Sequence, residues 1–151
     1  MNEISINPFN VAELTALVSL FEAQLREHDI ATSPDSVAAV LHTLSGQPQH
    51  GLILTASHHD SLIGVAYAAS ILSLEHGGWS GWLEEFYVLP AWRGRGVGSR
   101  LLAAVIAAAK ERDWPALDIE VDSSHTRVVS LYTRNNFQSL SRTRFVHRLR
   151  E

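Results

Sequence analysis

The stretch WLEEFYVLPAWRGRGVGSRLLAAVIAAA, from Trp82 to Ala109, constrains this chain more than any other. An aromatic and apolar run reads as a strand and stops at Pro90. Gly94, Gly96 and Gly98 then alternate with Arg95 and Val97. Beyond them Leu101, Leu102, Val105, Ile106 and Ala109 recur at helical spacing, in a helix ending near Arg112. A strand feeding a helix through such a loop belongs to a mixed α/β domain. Glycine lets the backbone take positive φ and lets a ligand approach the main chain. The first amides of a helix have no partner within it, and the dipole there is positive. The loop therefore reads as an anion site, with Arg93, Arg95 and Arg100 adding charge. The alternative is a glycine-rich turn with solvated arginines.

Two well-known phosphate loops do not fit. A P-loop requires G-x-x-x-x-G-K-[ST], and no lysine lies between Val88 and Ala109. A dinucleotide fingerprint requires G-x-G-x-x-G near the start of the fold, whereas the spacing here is G-x-G-x-G, past the middle of the chain.

The rest of the chain supplies the frame. ISIN reads as a first strand, and Asn10 as a cap for a helix carrying Leu14, Leu17, Val18, Phe21 and Leu25 to about His28. Ser33-Pro34 caps a second helix. GLILTA and LIGVAYAASILSL, joined by SHHDS, read as a hairpin. LDIEV is a further strand, a short helix holds Val128, Val129, Leu131 and Tyr132, and FQSL and TRFVHRL suggest closing strands. We read residues 1–151 as one domain.

Composition excludes several function classes. The 151 residues hold no cysteine, which removes disulfides and thiolate chemistry. A formal charge of −4 argues against broad nucleic-acid binding. No apolar run is long enough to span a membrane, and no signal pattern opens the chain, so the expected compartment is the cytoplasm. His58-His59 lack a helical partner, so no metal site is expected.

The order strand, V-x-P-x-x-R-G-x-G-x-G-S, helix, strand, L-Y-x-x-x-x-F resembles the GNAT superfamily of acyl-CoA-dependent N-acyltransferases. Arg93, Gly96 and Gly98 match its Q/R-x-x-G-x-G/A loop. LYTRNNF (Leu131 to Phe137) resembles its L-Y-x-x-x-G-F segment, with Asn136 in place of glycine. The resemblance implies an α/β (α+β) fold: a mixed, largely antiparallel sheet flanked by helices. It implies acetyl-CoA as cosubstrate, no metal, and a homodimer. The loop from Arg93 through Gly94, Arg95, Gly96, Val97 and Gly98 to Ser99 would hold the pyrophosphate. Phe86, Tyr87 and Val88 would run beside pantetheine, with the Val88 amide near the oxyanion. His125 stands where the family's pantetheine-binding asparagine is usual.

The chemistry asks for a proton acceptor and a proton donor. An alkylammonium with a pKa of about 10.4 is roughly one part in a thousand neutral near pH 7, and only the neutral amine attacks a thioester. Tyr132 matches the family tyrosine that protonates the leaving thiolate. Glu84 and Glu85 are adjacent in a strand, so simple alternation points them to opposite faces. WLEEFYVLPAWRGRGVGS is similar to the YLEDFFV-x-x-x-Y-R-G-x-G-I-G-S pattern of spermidine/spermine acetyltransferases, which implies Glu84 as base and Glu85 as amine anchor. Glu120, twelve residues before Tyr132, is the rival base. Trp82, with Trp79, offers an apolar or cation–π wall for the amine, or a packing surface.

The reading is an N-acetyltransferase acting on a primary amine of a small molecule, a polyamine or amino-acid derivative. A protein N-terminal or lysine acetyltransferase is the alternative within the class. A non-catalytic acyl-CoA sensor is the alternative outside it.

Overall fold

Five strands form one sheet in chain order, each beside the next. They are β1 (Ile4–Pro8), β2 (Gly51–His58), β3 (Ser61–Ser73), β4 (Gly78–Val88) and β5 (Leu117–Ile119). The first four pair antiparallel, and β4 pairs with β5 parallel. The computed structural model describes residues 3–122 and 124–150. The mixed, largely antiparallel sheet implied by the resemblance is the one observed.

Helices α1 (Leu14–Glu27) and α2 (Pro34–Gly46) follow β1. Asn10 forms a reciprocal capping box with Glu13 ahead of α1, its side chain accepting from the Ala12 amide at 2.9 Å. Ser33 caps α2 with Pro34 at the first helical position. Leu17, Leu20 and Phe21 of α1 bury against Ile53, Val65 and Tyr87 of the sheet, with Leu41 of α2 in the same cluster. On the other face, Ala56, Ile63 and Val88 enclose Val97, the first residue of α3 (Val97–Glu111). Leu101, Leu102 and Val105 of α3 are wholly buried. Each such side chain contributes about 1.5–3 kcal/mol by leaving water. This packing fixes α3 and the loop before it.

The turn between β3 and β4 is tied to β5 by a His76 Nε2–Asp118 Oδ2 contact of 2.7 Å. No helix among the described residues is long and apolar enough to cross a membrane.

The chain divides into two compact units, residues 1–120 and 121–151. In the second, α4 (Thr126–Arg134) carries Tyr132, whose ring meets Phe137 edge-on at 5.3 Å between centroids. Asn136 has φ 67°, a left-handed conformation that asparagine tolerates better than most residues. That accounts for its standing in the family's glycine position. The closing strands read from FQSL and TRFVHRL are not present. Residues 138–150 are exposed throughout, with Phe145 89 % and Leu149 88 % accessible. Alternation supplies a face for a strand, but only a ladder of paired backbone groups makes one.

Candidate active site

Two devices of local backbone meet at the end of β4. The first is a bulge. Tyr67 of β3 pairs with Glu85 while Ala68 pairs with Leu83, so Glu84 is an extra residue. Strict alternation would group Trp82 with Glu84 and Phe86. Pairing instead sets Trp82 opposite Ala69, Glu85 opposite Tyr67, and Tyr87 opposite Val65. Ala69, Tyr67 and Val65 alternate along β3, so Trp82, Glu85 and Tyr87 share the face that packs on α1. Strict alternation along β4 therefore does not assign Glu84 a face, because it has no partner of its own on β3. The charge of Glu84 raises the pKa of both Glu85 and Tyr67, so Glu84 lies near both.

The two acids differ in surroundings. Glu84 is exposed, while Glu85 is half-buried and accepts a hydrogen bond from Gln24 Nε2 of α1. Burial, and then the neighbouring Glu84 charge, push the Glu85 carboxyl up to about 7, against the pull of the Gln24 hydrogen bond. Gln24 Oε1 is buried and has no hydrogen-bond partner among the described residues. Glu120 is exposed and follows the last residue of β5.

The second device is the loop. A short 3₁₀ turn (Pro90–Trp92) precedes Arg93. Gly94 and Gly96 then take φ of 73° and 82°, and Gly96 stands immediately before α3. No side chain caps α3, so the amides of Val97, Gly98 and Ser99 keep their free first-turn geometry. A Cβ built on Gly96 meets nothing within 4 Å. Open space over uncapped amides fits an anion. The arginines divide: Arg95 lies over the Trp92 ring at 5.0 Å, while Arg100 donates to the Ile4 carbonyl at 2.7 Å.

Arg93 holds the loop itself. Its Nε donates to the Val88 carbonyl at 2.9 Å, and its two terminal nitrogens reach both Glu27 oxygens at 3.0 and 2.9 Å. Its hydrogen bond holds the Glu27 carboxyl below its ordinary range. The Arg93 amide meanwhile donates to Pro90. Nothing in the sequence marked Glu27.

The same strand presents a row of backbone groups. The Leu89 amide donates to Ile63, so Gly64 and Val88 form a non-hydrogen-bonded pair. Phe86 and Val88 therefore direct their amides and carbonyls away from β3. β5 covers that edge only from Gly81 to Leu83. Among the described residues, no strand pairs with β4 beyond Leu83 on that edge.

Residues 15–137 match the model of the Acetyltransferase (GNAT) family, most of the chain. This chain belongs to that family. It is accordingly an acetyl-CoA-dependent acyltransferase. The GNAT fold recurs in solved structures. An integron cassette protein from the mobile metagenome of Cole Harbour Salt Marsh has TM-score 0.85 at 23 % identity, covering 97 % of this chain and 91 % of that one. The aminoglycoside N-acetyltransferase AAC(6')-Iy, solved with CoA, has TM-score 0.84 at 22 % identity, covering 99 % and 97 %. A predicted acetyltransferase from Clostridium acetobutylicum, solved with acetyl-CoA, has TM-score 0.80 at 17 % identity, covering 96 % of each. No curated protein matches the chain.

In the second unit Tyr132 is buried, and burial pushes its phenol well above the ordinary value, so it is held protonated. His125 is exposed immediately before α4. Sequence reasoning missed Gln24 and Tyr67 as well as Glu27. The one signal for Gln24 was a polar residue three after Phe21, on the apolar stripe of α1.

Proposed function

We propose that this GNAT enzyme transfers the acetyl group of acetyl-CoA to the primary amine of a small cationic molecule, by direct attack, with Glu85 as proton acceptor. The observation carrying this reading is the half-buried Glu85 carboxyl, hydrogen-bonded by Gln24 and raised to about 7. An acceptor is most effective when its pKa lies near the working pH. Glu84, exposed beside it, takes the role of anchor for the ammonium, and Trp82 shares the Glu85 face as its wall. The two acids thus exchange the roles implied by resemblance. Glu120 is exposed, just past the end of β5.

Acetyl-CoA supplies an acyl thioester. The amides of Val97, Gly98 and Ser99 would hold its pyrophosphate, with Arg95 nearby and Gly94 and Gly96 shaping the loop. Phe86 and Val88 offer backbone partners to the pantetheine arm, and the Val88 amide donates toward the oxygen that gains charge. Glu85 takes the proton from the amine. Tyr132 takes the role of donor to the departing thiolate, its raised pKa keeping the phenol protonated.

A polycationic acceptor is favoured by adjacent carboxylates, one to accept a proton and one to stay charged. The LEE resemblance to spermidine/spermine acetyltransferases and the fold likeness to an aminoglycoside N-acetyltransferase point the same way. The test is thiol release from acetyl-CoA against polyamines, aminoglycosides, amino-acid amines and peptides bearing free N-termini or lysines. Turnover with small polycations and little with peptides is expected. Turnover confined to peptides, or none with any amine, refutes the reading.

A further inference from the structure

Gln24 sits on the buried stripe of α1 at 6 % exposure, with Leu17, Leu20 and Phe21. A carboxamide in such a place is destabilising unless both its ends are satisfied. Only one is. Nε2 donates to Glu85, and Oε1 is buried without a partner among the described residues. The groups that bear on Glu85 are Gln24 from α1, Tyr67 opposite it on β3 and Glu84 beside it on β4. Of these, Gln24 makes the hydrogen bond to the Glu85 carboxyl, and its carboxamide holds both a donor and an acceptor.

We infer that Gln24 is the positioning residue for Glu85 in both of its protonation states, its carboxamide turning over when Glu85 takes up a proton. As a carboxylate, Glu85 accepts from Nε2–H. When it takes the proton of the attacking amine, its new O–H requires an acceptor. A half-turn of the carboxamide brings Oε1 to that place and sends Nε2 to the position Oε1 left. Each arrangement satisfies one end of the carboxamide and orphans the other, so the protonation state of Glu85 decides between them. The unpartnered oxygen is then the vacant half of a two-position support. This inference rests on Glu85 as the proton acceptor.

The experiment compares kcat/KM against pH for wild type, Gln24→Met and Glu85→Gln, with the best amine of the panel. Methionine keeps the length and apolar packing but can neither donate to the carboxylate nor accept from the acid. Loss of the donor raises the Glu85 pKa, so the acid limb moves up by about one pH unit. Activity near pH 7 falls about fivefold, with recovery toward pH 9. A limb unmoved in Gln24→Met but abolished in Glu85→Gln refutes Gln24 and leaves Glu85 standing. A limb that survives Glu85→Gln refutes Glu85 as base. A second measurement needs no Gln24 variant: the side-chain amide NMR signals of Gln24 in the wild-type protein should titrate with the acid limb and lose that titration in Glu85→Gln. Signals flat across the limb overturn the inference.

Discussion

Replacing Gly96 by asparagine and by aspartate separates shape from charge at the loop. Gly96 has φ 82°, and no atom lies within 4 Å of a Cβ built there. Asparagine and aspartate tolerate the left-handed region best among non-glycine residues, so strain of about 1 kcal/mol is expected in both, and both should fold. They are nearly isosteric. What differs is one negative charge over the uncapped amides of α3. At about 5 Å, one unit charge repels another by about 0.8 kcal/mol in water and about 3 kcal/mol at an effective dielectric of 20. Aspartate should therefore bind coenzyme A roughly 4- to 200-fold more weakly than asparagine, and both more weakly than glycine. The assay is calorimetric titration at low and high salt, with thermal melts to establish folding. The difference should shrink as salt rises, because an exposed pair is screened. Equal, near-wild-type affinities in two folded variants would refute the anion loop.

Tyr132→Phe keeps the ring, so coenzyme affinity should hold while steady-state kinetics show kcat and kcat/KM falling together by about 10²-fold. Because the Glu85 pKa is raised in the folded state, stability from this group is full below its unfolded value near 4.5 and is lost as pH rises through about 7. Denaturant titrations should accordingly find Glu85→Gln more stable than wild type at pH 8, by about 1–3 kcal/mol after solvent screening, and not at pH 4. Arg93→Lys cannot hold Glu27 and the Val88 carbonyl together and should lose about 1–2 kcal/mol in unfolding experiments. Glu27→Gln should lose less than about 1, since that ion pair is more than a third exposed on both sides.

What could be read from residues was local. Asn10 and Ser33-Pro34 cap where a short polar side chain or a fixed φ dictates, and the stripe Leu101, Leu102, Val105 buries as its spacing requires. The glycine loop was legible for the same reason, since positive φ at Gly94 and Gly96 is a property of single residues. The bulge at Glu84 was not. It is set by which residue of β3 each residue of β4 faces, and nothing in LEEF encodes that pairing. Gln24 was hidden by its neighbours, because an apolar stripe hides one polar member until its cross-fold partner is known. In residues 138–150 the error ran the other way, with alternation present and no ladder to use it.

The bulge also bears on how this site can change. Two identical acids stand side by side, and the register of β4 decides which of them meets α1. A bulge moved one residue along would place Glu84 beside Gln24 and leave Glu85 in solvent, with no catalytic side chain replaced. If Glu85 is the base, as proposed, the choice of base is a property of strand pairing, one that a one-residue insertion or deletion could change.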